Sequence, residues 1–110
     1  MIKIPMSVAA AGLLRALLAR AKVNRDRILL TDLQSTEWQS LTFVGERHRF
    51  HFRIAGPNSS EVVRNLISGL EDAEFSIPGH IVADIAMASQ LGMNQDGSVS
   101  VDLEALTIAE

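Results

Sequence analysis

The sequence predicts one two-layer α+β domain, in which an antiparallel sheet of five to six strands carries two helices on one face. Three observations predict it. Two segments carry apolar residues at helical spacing, several shorter segments alternate apolar and polar residues, and turns rich in Gly, Pro and Asn separate them. The chain of 110 residues has the length of a single domain, which we expect to span residues 1–110.

The composition excludes several classes of protein. Cysteine is absent, so the chain can form neither a disulfide nor a thiolate zinc site. Lys and Arg number 10 against 13 Asp and Glu, so a nucleic-acid-binding protein of this charge would need a local basic patch. A hydrophobic content of 47% is too high for a disordered chain.

The first helix is predicted over residues 8–22, a run rich in Ala and Leu. Ser7 stands where its side chain caps the first turn, and the polar residues 24–26 end the helix. Lys3 and the apolar run after it faintly resemble a signal peptide. Because Arg15 interrupts a run that is far too short to span a membrane, we expect an ordinary helix and a cytoplasmic protein.

Three strands are predicted next, over residues 27–34, 41–44 and 50–54. The last two are expected to form a hairpin that turns near Gly45 and Glu46. In either register of this hairpin, Leu41 and Phe43 face the same side as Phe50 and Phe52, because side chains alternate with a period of two.

The second half of the chain predicts a helix and two strands. Asn58 followed by Glu61 resembles a capping box at the start of a helix that ends near Leu70. Residues 80–88 alternate like a strand, and residues 94–97 are typical of a hairpin turn. The last strand begins at Ser98, and its alternation slips at residues 104–105, as at a β-bulge.

These alternations divide the predicted sheet into a face covered by helices and an open face. We expect the covered face to hold Leu29, Leu33, Leu41, Phe43, Phe50, Phe52, Ile81, Ile85, Met87, Val99, Val101 and Leu103. We expect the open face to hold Leu30, Asp32, Ser40, Thr42, Val44, Arg49, His51, Arg53, Val82, Asp84, Ala86, Ala88, Asp102 and Glu104.

The sequence also matches itself at a shift of 52 residues. Seven positions between residues 2 and 34 are identical to their counterparts, namely Ile2, Pro5, Ser7, Leu14, Leu18, Ala21 and Asp32. This predicts a tandem duplication of a strand-helix-strand-strand unit, with repeats at residues 1–45 and 53–108 and a first strand at residues 2–4. Chance or convergent helix patterning is the alternative.

If residues 2–4 are irregular, the predicted order is helix, three strands, helix, two strands. This order resembles the fold of secretion chaperones, an architecture of small acidic dimers. The resemblance rests on element order alone, with no sequence motif behind it.

The candidate site is a group of charged residues on the open face, with His51 at its centre. We expect Arg49 and Arg53 beside it, a hydroxyl from Ser40 or Thr42 opposite it, and Asp32 or Asp84 on a neighbouring strand. His48 and His51 point to opposite faces and cannot share a metal, so we expect neither a metal nor a cofactor.

Two functions remain open for this site. The favoured hypothesis is a non-enzymatic interaction module that forms a homodimer or binds another protein, because one sheet face is uncovered and carries charges of both signs. The alternative is a protein that binds a small anion, or an enzyme, with a ligand at Arg49, His51, Arg53, Asp32 and Asp84. The absence of a nucleophile elbow and of Gly-rich phosphate loops disfavours an enzyme. Phe50 and Phe52 are expected to point to the covered face, so no aromatic stacking platform lies among the arginines, which disfavours nucleic acid as a partner. No membrane association is expected.

Overall fold

The computed structural model describes residues 5–23 and 25–110. Its helices and strands follow the order α1 (Val8–Ala21), β1 (Ile28–Gln39), β2 (Val44–Ile54), α2 (Ser59–Ile67), β3 (His80–Met87), β4 (Gly92–Met93) and β5 (Val99–Ala109). Short 3-10 helices at Arg25–Arg27 and Leu70–Asp72 precede β1 and β3. The predicted α+β class with an antiparallel sheet is confirmed. The strand predicted for residues 2–4 lies outside the described residues.

All pairings in the five-stranded sheet are antiparallel, and the strand order is β1-β2-β5-β3. The short β4 pairs with β5 at Val99 and Ser100, beyond the end of β3. The strands β2 and β5 therefore form the centre of the sheet. The turn predicted at residues 94–97 is present, and a hydrogen bond from the Asn94 N–H to the Ser98 carbonyl closes it. It connects β5 to β4, a short strand that was not predicted.

The first helix begins where the sequence predicts. The Ser7 side chain accepts a hydrogen bond from the Ala10 N–H at 3.1 Å, which satisfies one of the unpaired donors of the first turn. At the other end, Lys22 adopts the left-handed conformation and stops the helix. The side chains of Leu13 and Leu17 are fully buried.

The second helix differs in its cap from the prediction. Asn58 has a φ of 61° and makes no side-chain cap bond, so the capping-box prediction is wrong. Its carbonyl instead accepts hydrogen bonds from the N–H groups of Glu61 and Val62. The helix ends at Ile67, and the Arg20 side chain of α1 donates to the carbonyls of Leu66 and Ser68 there. This contact ties the two helices together where carbonyls lack partners within the helix.

The core lies between the helices and one face of the sheet. Phe50 and Phe52 of β2 stack with ring centroids 5.9 Å apart, and both are fully buried. Leu13 and Leu17 of α1 belong to the same cluster. The other buried members are Ala21, Ile28, Ile54, Val62, Val63, Leu66, Leu70, Ile77, Ile85, Val99, Val101, Leu103 and Ala105. Each large side chain of this kind contributes about 1.5–3 kcal/mol on burial.

Because of two β-bulges, some residues of the outer strands β1 and β3 lie on the face opposite to the predicted one. The register shifts between Leu30 and Asp32 in β1 and between Val82 and Asp84 in β3. An extra residue reverses the alternation at that point. As a result Leu30 and Val82, which were expected on the open face, pack against the core.

The same shift explains two wrong predictions for the core. Leu29 and Ile81 were expected there, yet they are 59% and 53% exposed. In β5, by contrast, the register with β2 runs unbroken from Val99 to Ile108, so the bulge predicted at residues 104–105 is wrong.

The hairpin of β1 and β2 turns at another place than predicted. β1 continues to Gln39, and the chain turns at residues 40–43, where the Ser40 side chain accepts a hydrogen bond from the Phe43 N–H. Leu41 and Phe43, expected in the core, are exposed at this turn. Gly45, the expected turn residue, lies inside β2 and pairs with Ile108 of β5. The ladder with β5 holds this residue in extended pairing, which outweighs its turn propensity.

The observed order of elements is helix, two strands, helix, three strands. The order of helix, three strands, helix, two strands is therefore wrong, and the resemblance to secretion chaperones loses the feature on which it rested.

Candidate functional site

The open face of the sheet is the face opposite the core, and its charges are sorted by strand. In β2, four basic side chains alternate on this face: Arg47, Arg49, His51 and Arg53. In β5, which lies beside it, the carboxylates of Asp102 and Glu104 are paired in register with His51 and Arg49. A basic strand thus lies next to an acidic one at the centre of the sheet.

His51 occupies the middle of a row in which both neighbours are aspartates. Its register partners are Asp32 on β1 and Asp102 on β5. The structure therefore places Asp32 on the strand next to His51. The other expected neighbours, Ser40 and Thr42, do not reach it, because both lie in the turn at the far end of the hairpin.

The side chains of His51 and Arg49 both approach the carboxylate of Asp102 without forming a hydrogen bond with it. Nε2 of His51 lies 3.7 Å from Oδ1 of Asp102, and Nη2 of Arg49 lies 3.8 Å from Oδ2 of the same carboxylate. Both distances exceed those of a hydrogen bond. Oδ2 of Asp102 does accept a hydrogen bond from the Ser89 hydroxyl at 3.0 Å. A shallow cleft of about 230 Å³ results, lined by Asp32, Gln34, Arg49, His51 and Asp102.

The hydroxyl beside His51 belongs to Thr31, the bulged residue of β1. It donates to the His51 carbonyl at 3.0 Å and also contacts Nδ1 of the ring. This contact joins the bulge of β1 to the ring, and the tautomer of His51 decides which of the two atoms donates in it.

Two of the predicted site residues lie apart from this cleft. Arg53 forms a salt bridge with Asp96, and its Nε donates to the Ser98 hydroxyl at 3.0 Å. Hydrogen bonds from the Ser98 hydroxyl and N–H, with a further contribution from Arg53, lower the pKa of Asp96 to about 2. Asp84 is exposed on β3 and pairs in register with Leu106. Arg53 thus fastens the turn before β5 to β2, and Asp84 does not reach His51.

The sequence did not single out Asp102, Gln34 and Thr31 as members of the site. Alternation did place Asp102 on the open face. Its contact with His51 depends on β5 lying beside β2, and no signal in the sequence gives that strand order.

His48 lies on the core side of β2 and is fully buried. Its Nδ1 is 2.7 Å from the Ser35 hydroxyl and its Nε2 is 2.8 Å from the Thr107 hydroxyl, so the ring joins β1, β2 and β5. Burial lowers the pKa of His48, against a smaller raising effect of Glu46. The prediction that His48 and His51 point to opposite faces is confirmed.

A second cleft, of about 410 Å³, lies at the end of β3. It is lined by Ala73, Glu74, Phe75, Ser76, Ile77, His80, Ile81, Val82 and Glu110. Nδ1 of His80 donates to the Pro78 carbonyl at 3.1 Å, and this fixes the ring at the rim.

Within residues 5–23 and 25–110, no three His, Asp or Glu side chains are grouped to hold a metal ion. No helix of the described part of the chain is long and apolar enough to cross a membrane. The sequence matches no model of a known protein family and no curated protein sequence at a significant level.

Proposed function

We propose that this chain is a non-enzymatic interaction module whose open sheet face binds a second copy of the same chain. The observation that carries the proposal is the sorting of charge on that face, with basic side chains on β2 and carboxylates on the adjacent β5. A surface with both signs at its centre can complement itself in a two-fold arrangement.

The charges of this face are only partly used within one chain. Among the described residues, neither Arg47 nor Glu104 has an ion-pair partner within 4.0 Å, and the contacts of Asp102 with Arg49 and His51 are loose. Side chains of this kind can form new ion pairs with a partner without first breaking strong ones. This favours association over a purely solvated face.

The size of the face also supports a dimer. Four strands about 4.8 Å apart, each about ten residues long at about 3.3 Å per residue, give roughly 600 Å² per copy. Two copies would bury about 1,200 Å², at the lower end of specific interfaces. We therefore expect a dimer that dissociates at low concentration.

Light scattering coupled to size exclusion, over a range of protein concentrations, tests the proposal. The wild-type mass should rise from one chain to two. Arg47→Glu should weaken association, because Arg47 is an unpaired cation of this face. Arg15→Glu, the same charge change on the exposed surface of α1, should leave it unchanged. A wild-type mass of one chain at millimolar concentration would refute the proposal.

We also propose that the chain arose by tandem duplication of a unit that includes one helix and two strands. The bulges of β1 and β3 lie 52 residues apart, at the shift that the sequence match gives. In each half, the strand that follows the helix pairs antiparallel with the last strand, β1 with β2 and β3 with β5. An experimental structure in which residues 8–54 do not superimpose on residues 59–109 would contradict it.

A second candidate function is the binding of a small anion in the cleft at His51. The gaps of 3.7 and 3.8 Å around Asp102 support it, since they leave room for a polar group. Asp32 and Asp102 line the same cleft, so the fitting ligand carries an ammonium group beside its anionic one. NMR titration with amino acids, carboxylates and phosphates should then shift the His51 ring signals, and His80 is the control. Equal shifts at both histidines would argue against a site.

A further inference from the structure

We propose a specific symmetry for the dimer, which rests on the proposed function. The two sheets stack face to face about a two-fold axis that runs parallel to β2 and β5, midway between them. In this arrangement β2 of each copy lies over β5 of its partner.

The register of the central strands determines which residues then meet. Arg49 pairs with Glu104, and His51 with Asp102, across the β2–β5 ladder. Rotation about an axis between these strands exchanges their positions. Arg49 then faces the partner's Glu104, and His51 faces the partner's Asp102.

Four charges surround the axis in this arrangement. Two arginines and two glutamates, one of each from either copy, alternate around a square. Every charge has neighbours of the opposite sign, one in its own chain and one in the partner. Exposed ion pairs are weak singly, and a network that association partly removes from water is stronger.

The alternative axis, perpendicular to the strands, gives the opposite result. It places β2 over β2 and β5 over β5, so Arg49 faces Arg49 and Glu104 faces Glu104. Like charges held together at an interface are strongly unfavourable. Charge sorting between adjacent strands therefore selects the axis that is parallel to them.

The outer strands fit the same arrangement. It brings β1 of one copy over β3 of the other, so that Gln34 faces the partner's Ala86, which lies in the same row as Arg49 and Glu104. The small alanine leaves room for the longer amide side chain between sheets about 10 Å apart. The rows nearest the axis keep these contacts when the sheets cross at about 30°.

A charge reversal at the central row tests the symmetry. Arg49→Glu alone places a carboxylate against the partner's Glu104 and should raise the dimer dissociation constant at least about tenfold. The double variant with Arg49→Glu and Glu104→Arg restores opposite charges in both contacts and should dimerise within about threefold of wild type. Sedimentation equilibrium measures both constants, circular dichroism checks the fold, and Arg15→Glu is the matched control.

Mixing the double variant with wild type separates the two axes. With the axis parallel to the strands, a mixed dimer sets the introduced carboxylate against the wild-type Glu104 and the introduced guanidinium against the wild-type Arg49. Fluorescence energy transfer between labelled copies should therefore stay at background. With the perpendicular axis, the mixed dimer would have opposite charges throughout and would form readily. Mixed dimers would overturn the proposed symmetry and leave the open face as the interface.

Two other results would refute the proposed function itself. If the wild type stays monomeric, the chain does not form a dimer. If Arg49→Glu leaves the dissociation constant unchanged, the interface does not include the open face. Failure of the symmetry and failure of the proposed function are thus distinguishable.

Discussion

Two histidines three residues apart on β2 meet opposite environments. His51 lies on the open face, with its side chain 39% exposed beside Asp102. His48 is buried between two hydroxyls, which can accept from or donate to the neutral ring. The sequence predicted this division from alternation alone. It did not predict the hydroxyl partners of His48, because these belong to other strands, whose pairing the sequence does not give.

Burial of His48 makes the stability of the fold depend on pH. Its pKa is lower in the folded than in the unfolded state, so the unfolded chain binds the proton more readily. The contribution of neutral, buried His48 to the free energy of unfolding is fully present above the unfolded pKa of about 6.5. It is lost as the pH falls below that value, by at most about 1.4 kcal/mol per pH unit, until the folded pKa is passed.

Urea unfolding at pH 7.5 and pH 5.5 measures this effect. Wild type should lose stability at the lower pH, and His48→Gln should lose less of it, because the amide bonds both hydroxyls without titrating. His51→Gln, which changes the exposed histidine, should keep the wild-type loss. The same loss in His48→Gln as in wild type would show that other groups cause it.

At the scale of single elements, the bulges of β1 and β3 decide which side chains reach the core. Alternation predicted most of the inward residues of β2 and β5, since those strands are regular. It failed at Leu29 and Ile81, because one extra residue reverses the phase and nothing in the local sequence marks its position. With the extra residue present, Leu30 and Val82 reach the core because each strand bulges at that point.

Deletion of Ala83 should be tolerated. Without the bulged residue, Val82, Asp84 and Ile85 alternate regularly and keep their observed faces, so we expect a loss of stability below about 1 kcal/mol. Deletion of Ala105 in the regular β5 should instead unfold the protein, because it turns every later side chain to the wrong face. Urea unfolding of both deletions provides the comparison. Equal losses would contradict this account of the bulge.

Gly45 shows why the hairpin turn was misplaced. A Cβ on this residue would fall on the carbonyl oxygen of Thr107 in β5. Gly45 is therefore required by close packing of two strands rather than by a turn. A tight turn and close packing of two strands both select glycine, so the sequence alone does not tell them apart.

Gly45→Ala should separate β2 from β5 locally and lower the free energy of unfolding by about 2 kcal/mol or more, as overpacking does. Gly69→Ala is the control, because a Cβ there meets nothing within 4 Å and only its φ of 66° opposes the change. That variant should lose about 1 kcal/mol. A similar loss at both positions, measured by thermal and urea unfolding, would mean that the contact with Thr107 is relieved cheaply.

At the scale of the whole molecule, the class of fold followed from periodicity and turn signals, and the strand order did not. The five residues that line the cleft are brought together by the strand order β1-β2-β5. This order places segments side by side that are far apart in the sequence, such as Asp32 and Asp102, which are 70 residues apart. The sequence could place Arg49 and His51 on the open face. It could not show that β5, with Asp102 and Glu104, lies beside them.

The charge sorting predicts how the proposed dimer responds to salt. Raising the ionic strength from about 0.02 M to about 0.5 M screens exposed pairs and should weaken association severalfold. Sedimentation equilibrium in sodium chloride measures the change, and urea unfolding of the monomer in the same buffers is the control. Association that strengthens with salt would indicate an apolar interface instead.

The two bulges have a further consequence for how large an assembly can grow. Both outer strands of the sheet, β1 and β3, carry one, and a bulge twists an edge and interrupts the row of groups that another strand would pair with. Sideways addition of strands, the route to open-ended fibrils, is disfavoured at both edges. In the proposed dimer, stacking occupies the whole open face of each copy, so an assembly of this kind would end at two chains.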